Sequence, residues 1–114
     1  LVHCYFLVTA FEFLQSLDRK HYEKIIFNIR KVQIDQDPEL FKKLTDEIWE
    51  LRTLYQGFQY RLLAFWDKTD SYETLVIATH GFIKKTSKVP ENELVKAKQL
   101  RISYFADKEK REKK

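Results

Sequence analysis

A chain of 114 residues holds one domain, because a second hydrophobic core does not fit in that length. Its 44% hydrophobic and 15% aromatic content exclude a disordered chain, and a single cysteine excludes an internal disulfide and points to a reducing compartment. The net charge of +4 is unevenly placed: residues 84–114 carry eleven Lys/Arg against five Asp/Glu, whereas residues 1–83 carry ten against twelve, so a phosphate-bearing partner is expected at the basic end.

Leu1 to Val8 has the composition of a strand. The apolar run continues to Leu14, but His3 and Glu12 interrupt it, and it is shorter than the roughly 20 residues of a membrane span. It has neither the basic leader nor the cleavage site of a secretion signal, so a cytoplasmic protein is expected. No Met occurs, even at position 1, so the natural chain is expected to begin earlier or to have lost its initiator. Thr9 and Glu12 are spaced as a capping box, and Ala10, Phe13, Leu14 and Leu17 follow on one helical face. Asp18 is the expected cap of a second helix, in which Tyr22, Ile25, Ile26, Ile29 and Val32 repeat that spacing. Asp37-Pro38-Glu39 reads as a third helix start, docked by Leu40, Phe41 and Leu44.

From Ile48 the period changes to two. Trp49 and Leu51 point one way, Glu50 and Arg52 the other. Gln56-Gly57 makes a loop, Tyr60 to Trp66 a second strand, Asp67 to Ser71 a polar turn, and Thr74 to Ile83 a third strand. That third strand is apolar on both faces, as the centre of a sheet requires. Pro90, Glu91 and Glu93 open a last helix, with Leu94, Ala97, Arg101 and Tyr104 on one face. The expected fold is α+β: an N-terminal strand and two-helix hairpin, an antiparallel three-strand meander, and a C-terminal helix. Helices cover one face of the sheet in this scheme and leave the other open. The domain is expected over residues 1–106, followed by a charged tail over residues 107–114 in which Lys108 to Lys114 are solvated.

Cations recur on the open face. Arg52 ends the first meander strand, Arg61 begins the second, and Lys84 and Lys85 end the third, with Lys88 just beyond. Guanidinium groups grip phosphate oxygens in pairs of bonds, so these residues make a candidate phosphodiester site. The alternative is that Arg52 pairs with Glu50 or another acid and Arg61 lines a sheet edge. His80 alternates onto the same side as Phe82 and Lys84 and is a candidate acid or base; its alternative is a half-buried histidine bonded to backbone beside Gly81. Tyr55 and Phe58, in the loop beside Arg52 and Arg61, can stack on an RNA base or pack on the sheet. His3 and His21 are read as structural or surface residues, and Trp49, Tyr60, Phe65 and Trp66 as core. No cofactor motif occurs, and three scattered histidines and one cysteine fit no metal site.

Phe13-Leu14-x-Ser16-Leu17, Ile48-Trp49-Glu50-Leu51-Arg52, Tyr60-Arg61-Leu62-Leu63 and the run His80-Gly81-Phe82-Ile83-Lys84-Lys85-Thr86-Ser87-Lys88-Val89-Pro90 occur in that order. Together they resemble the phage-derived, HigB-like branch of the RelE/ParE toxin superfamily, over about Phe11 to Tyr104. The resemblance implies a type II toxin–antitoxin toxin that cuts mRNA in the ribosomal A site without a metal or other cofactor. In such cleavage the ribose hydroxyl attacks its neighbouring phosphate and leaves a cyclic phosphate. Arg61 then matches the strand arginine that contacts the phosphate, Arg52 a supporting cation, and Lys84 and Lys85 the basic residues after the last core strand. The chain departs from RelE in carrying Glu50 where lysines are found, and Tyr104 is a weak counterpart of the C-terminal acid or base. Glu50, His80 and Lys84 stay open as the general base. The implied partners are a helix-turn-helix antitoxin, the ribosome and mRNA, with operator DNA reached only through the antitoxin complex and no membrane. Two other activities fit the same fold: a ParE-like inhibitor of DNA gyrase, and a non-catalytic nucleic-acid or protein binding module.

Overall fold

A computed structural model describes residues 2–69 and 75–112 of the chain. The expected beginning of the third strand at Thr74 and the end of the polar turn at Asp70 and Ser71 lie outside those residues. The element order is β1 (His3–Phe6), α1 (Val8–Gln15), α2 (Arg19–Asp35), β2 (Phe41–Lys43), β3 (Trp49–Tyr55), β4 (Phe58–Asp67), β5 (Leu75–Ile83) and α3 (Glu91–Glu112).

The apolar spacing seen in the sequence sets the two N-terminal helices. Ala10 and Leu14 of α1 and Ile25, Ile29 and Val32 of α2 are buried against Leu51, Leu62, Ala64, Val76 and Ala78 of the sheet. The capping box does not form. The helix starts at Val8 with Leu7 at its cap, and the Thr9 hydroxyl instead donates to the carbonyl of Thr79 on β5. A cross-element acceptor thereby replaces the local one, fixing α1 on the strand beneath it. Asp18 does occupy the cap of α2, without a side-chain bond.

The expected antiparallel three-strand meander is present as β3-β4-β5, but it is the middle of a larger sheet. Among the described residues that sheet has five strands in the order β1-β5-β4-β3-β2, with β1 parallel to β5 and the other pairings antiparallel. The third helix start at Asp37 is also corrected. Asp37 accepts from the Glu39 amide in a turn, and the chain goes straight into β2, where Phe41 pairs with Leu51 and stacks on Trp49. Pro38 and Asp37 are as suited to a turn as to a helix start, and the aromatic pairing on the sheet decides between them. Gln56 and Gly57 both have positive φ, 49° and 82°, and close β3 onto β4 in a two-residue hairpin.

The helices cover both faces, not one. α1 and α2 pack on one side, and α3 crosses the other, where Ala97, Leu94, Tyr104 and Phe105 meet Ile48, Leu63, Phe65 and Ile77. β4 and β5 are therefore apolar on both sides, in line with their central positions. α3 also runs past the expected domain end. The Lys108 ammonium, assigned above to a solvated tail, lies 2.7 Å from the buried Asp67 carboxylate, which accepts a second bond of 2.6 Å from the Tyr104 hydroxyl. Among the described residues, no helix is long and apolar enough to cross a membrane.

Candidate functional site

The first turn of α3 borders β2, β3 and the segment that follows β5. What remains open there is a cleft of about 380 Å³ lined by Lys42, Leu44, Glu50, Arg52, Lys84, Ser87, Lys88, Val89 and Leu94. Strand register explains its make-up. Lys42 of β2 is the direct partner of Glu50, and Arg52 of β3 is the direct partner of Arg61. Lys84 is held at the rim because its amide donates to the carbonyl of Gln59 at 2.7 Å. Thr86 folds the following loop back by donating to the Lys88 carbonyl at 2.6 Å, which sets Lys88 on the cleft wall.

Four of the cleft's side chains are cationic, Lys42, Arg52, Lys84 and Lys88, and one is acidic. The acid is Glu50, buried at the floor. Its Oε1 lies 3.3 Å from Arg52 Nε and its Oε2 3.4 Å from Arg61 Nε. The pairing of Arg52 with Glu50, raised above as the alternative to a phosphate grip, is present. Arg52 is nevertheless one-third exposed, so its guanidinium is accessible from the cleft.

Arg61 is placed differently from the expectation. It is buried at mid-strand of β4, and its terminal nitrogens donate to the Tyr60 carbonyl and to Gln59 Oε1, each at 3.0 Å. Burial lowers its pKa, Glu50 opposes that shift, and Arg52 adds to it. It sits behind the cleft and does not line it.

His80 also lies beneath the surface. Its Nε2 is 3.1 Å from Glu93 Oε1 and its Nδ1 3.1 Å from the Thr79 hydroxyl, so both ring nitrogens are engaged. Burial lowers its pKa, and the Glu93 carboxylate only partly offsets this. The histidine thus ties β5 to the first turn of α3, whose Leu94 forms a cleft wall. His80 does share a sheet face with Arg61, because β5 carries one extra residue between Ala78 and His80, opposite the Leu63/Ala64 step.

Tyr55 and Phe58 do not join the cations. They lie on the α2 face, edge-on to the ring of His21, which also bonds the Tyr60 hydroxyl at 2.7 Å and Gln56 Oε1 at 3.1 Å. Alternation along β3 and β4 puts them on the side opposite Arg52 and Arg61. Lys85 is exposed beside Lys84 but does not line the cleft. The residue that sequence reasoning missed is Lys42. Reading Phe41 to Leu44 as part of a helix hid the alternation that places Lys42 beside Glu50.

Other chemistries find little support in the side chains. Burial pushes the Cys4 thiol up to about 12, far from a reactive thiolate. Among the described residues, no three His, Cys, Asp or Glu side chains are gathered as a metal site.

A family model described as Phage derived protein Gp49-like (DUF891) matches residues 12–102, which take in the second half of α1, all of α2, the cleft and the first part of α3. The chain belongs to that family. No curated protein matches it. The matched span of this Gp49-like protein contains every cleft residue, from Lys42 to Leu94.

Proposed function

We propose that this Gp49-like protein is the toxin of a type II toxin–antitoxin pair, of the RelE/HigB type, and that it cuts mRNA on the ribosome. The carrying observation is the cleft itself: four cations on three separate segments of the chain surround one buried acid. A phosphodiester entering it meets more positive than negative charge on walls that are partly apolar, where electrostatic attraction is stronger than in water. Cleavage then needs no nucleophile from the protein. The ribose 2′-hydroxyl loses its proton to water and attacks the adjacent phosphate, and the bond from phosphorus to the 5′-oxygen breaks, leaving a cyclic phosphate and a 5′-hydroxyl protonated from water. Arg52, Lys84 and Lys88 stabilise the charge that grows on the phosphorane while the ribosome holds the message in line. The reading places the protein in the cytoplasm and gives it a helix-turn-helix antitoxin that covers the cationic cleft with acidic groups.

The test is a translation reaction to which the purified protein is added. Cuts within translated codons, each leaving a cyclic phosphate, are expected, and the same RNA without ribosomes stays whole. An intact message beside active ribosomes and folded protein contradicts the reading. The engagement of both His80 nitrogens favours a second one, a module that binds RNA without cutting it. RNA binding without cuts on the ribosome identifies that case.

A further inference from the structure

Arg52 and Arg61 stand directly opposite each other on β3 and β4, an arrangement in which like charges repel. Glu50 lies between them, with one oxygen toward each guanidinium. On the Arg61 side the contact is sealed. Glu50 Oε2 and Arg61 Nε are both closed to solvent, and among the described residues neither has a hydrogen-bond partner of good geometry. Arg61 is 4% exposed, and its other nitrogens are bonded to Tyr60 and Gln59, so a phosphate cannot reach it without opening the sheet. On the Arg52 side the contact is open: that side chain is 33% exposed and lines the cleft. Two guanidiniums against one carboxylate leave an excess positive charge, and Arg52 is the group that can present it to an anion.

We propose that Glu50 is a positioning residue that aims Arg52 into the cleft and gives it up to the RNA phosphodiester, keeping Arg61 as its own counter-ion. The inference rests on the reading of the cleft as an RNA site. It reverses the roles that the family resemblance implied, since Arg52 touches the phosphate and Arg61 acts only through Glu50. No covalent bond changes in the exchange. Before it, one carboxylate is shared by two arginines; after it, Glu50–Arg61 and phosphate–Arg52 are two separate pairs. A phosphate competes well for Arg52 because it accepts two parallel N–H bonds, whereas Glu50 offers this guanidinium a single 3.3 Å contact at Nε.

The exchange is read from the arginine Nε–H resonances of the wild-type protein. The probe is a short single-stranded RNA methylated at every ribose hydroxyl, so that it binds without being cut. The Arg52 resonance is expected to move with RNA concentration much further than that of Arg61, which keeps Glu50 as its partner. An Arg61 signal that moves as far as that of Arg52, or an Arg52 signal that stays still as the RNA saturates, overturns the proposal. A protein that shows the Arg52 shift but cuts no message supports the exchange and removes the nuclease reading, so the two fail separately. Glu50→Gln supplies a second readout. It is expected to retain RNA binding but to lose about tenfold or more in cleavage at saturating substrate, with Glu50→Asp recovering part of the loss. Wild-type cleavage by E50Q overturns the proposal, and the wild-type titration decides by itself if that variant does not fold.

Discussion

At Glu50, Arg52 and Arg61, burial separates three charges that adjacent strands bring together. Removing a group from a buried pair leaves its partner's charge without compensation, whereas removing the exposed member costs little. Arg61→Ala is therefore expected to destabilise the fold by about 3–5 kcal/mol, and Arg52→Ala by less than about 1 kcal/mol, in urea denaturation. Equal losses contradict the assignment of Arg61 to the interior. A second buried charge sits at Asp67. Burial alone raises its pKa, but bonds from Lys108, Tyr104 and Thr69 outweigh burial and hold the carboxyl well below the usual range. Its folded pKa is thus below its unfolded value, so its stabilisation is complete above about pH 4 and fades as the pH falls further. Asp67→Asn is expected to lower stability at neutral pH and to flatten its fall below pH ~4. A variant with the wild-type acid profile contradicts this account.

Among the elements, α1 and β5 meet in close contact at Gly81. A Cβ on Gly81 would stand 2.2 Å from a ring carbon of Phe13, so α1 can lie on β5 only because that position lacks a side chain. Gly81→Ala is expected to lower the denaturation midpoint, with a loss of about 1–3 kcal/mol and an unchanged m value. No loss means that the Phe13 ring has room to move away. The elements also show what was readable from the chain. Helical spacing in Ala10–Leu17 and Tyr22–Val32, and alternation in Trp49–Arg52, announced α1, α2 and β3 because burial on one face is written into local spacing. β2 was not readable: three residues are too few for a period, and Asp37-Pro38 serves a turn or a helix equally. The parallel β1–β5 pairing joins residues about 70 positions apart, and local pattern carries no trace of it.

The same limit applies to the candidate site. Lys84 and Lys88 could be picked out because they follow the end of β5, and Arg52 because alternation puts it on one face with Glu50, although β3 runs on past it to Tyr55. The burial of Arg61 and His80 could not, because it depends on Gln59, Glu93 and Thr79 closing around them in three dimensions. Tyr55 and Phe58 are near Arg52 and Arg61 in sequence but across the sheet from them.

For the molecule as a whole, the four cleft cations predict a salt dependence. If each meets one phosphate, log affinity for single-stranded RNA falls with log salt at a slope near −3, because each contact contributes about −0.7. Lys42→Ala is expected to make that slope shallower by about 0.7, measured by fluorescence anisotropy across a salt series. An unchanged slope removes Lys42 from the interface.

The central claim is that message cleavage depends on this cleft and not on positive charge in general. It is tested most directly by comparing Arg52→Ala with Lys110→Ala in one translation reaction. Each removes one cation, the first in the cleft and the second on an exposed turn near the end of α3. The account predicts that the Arg52 variant leaves the message whole while the Lys110 variant cuts at the wild-type rate. Equal cutting by the two variants contradicts it.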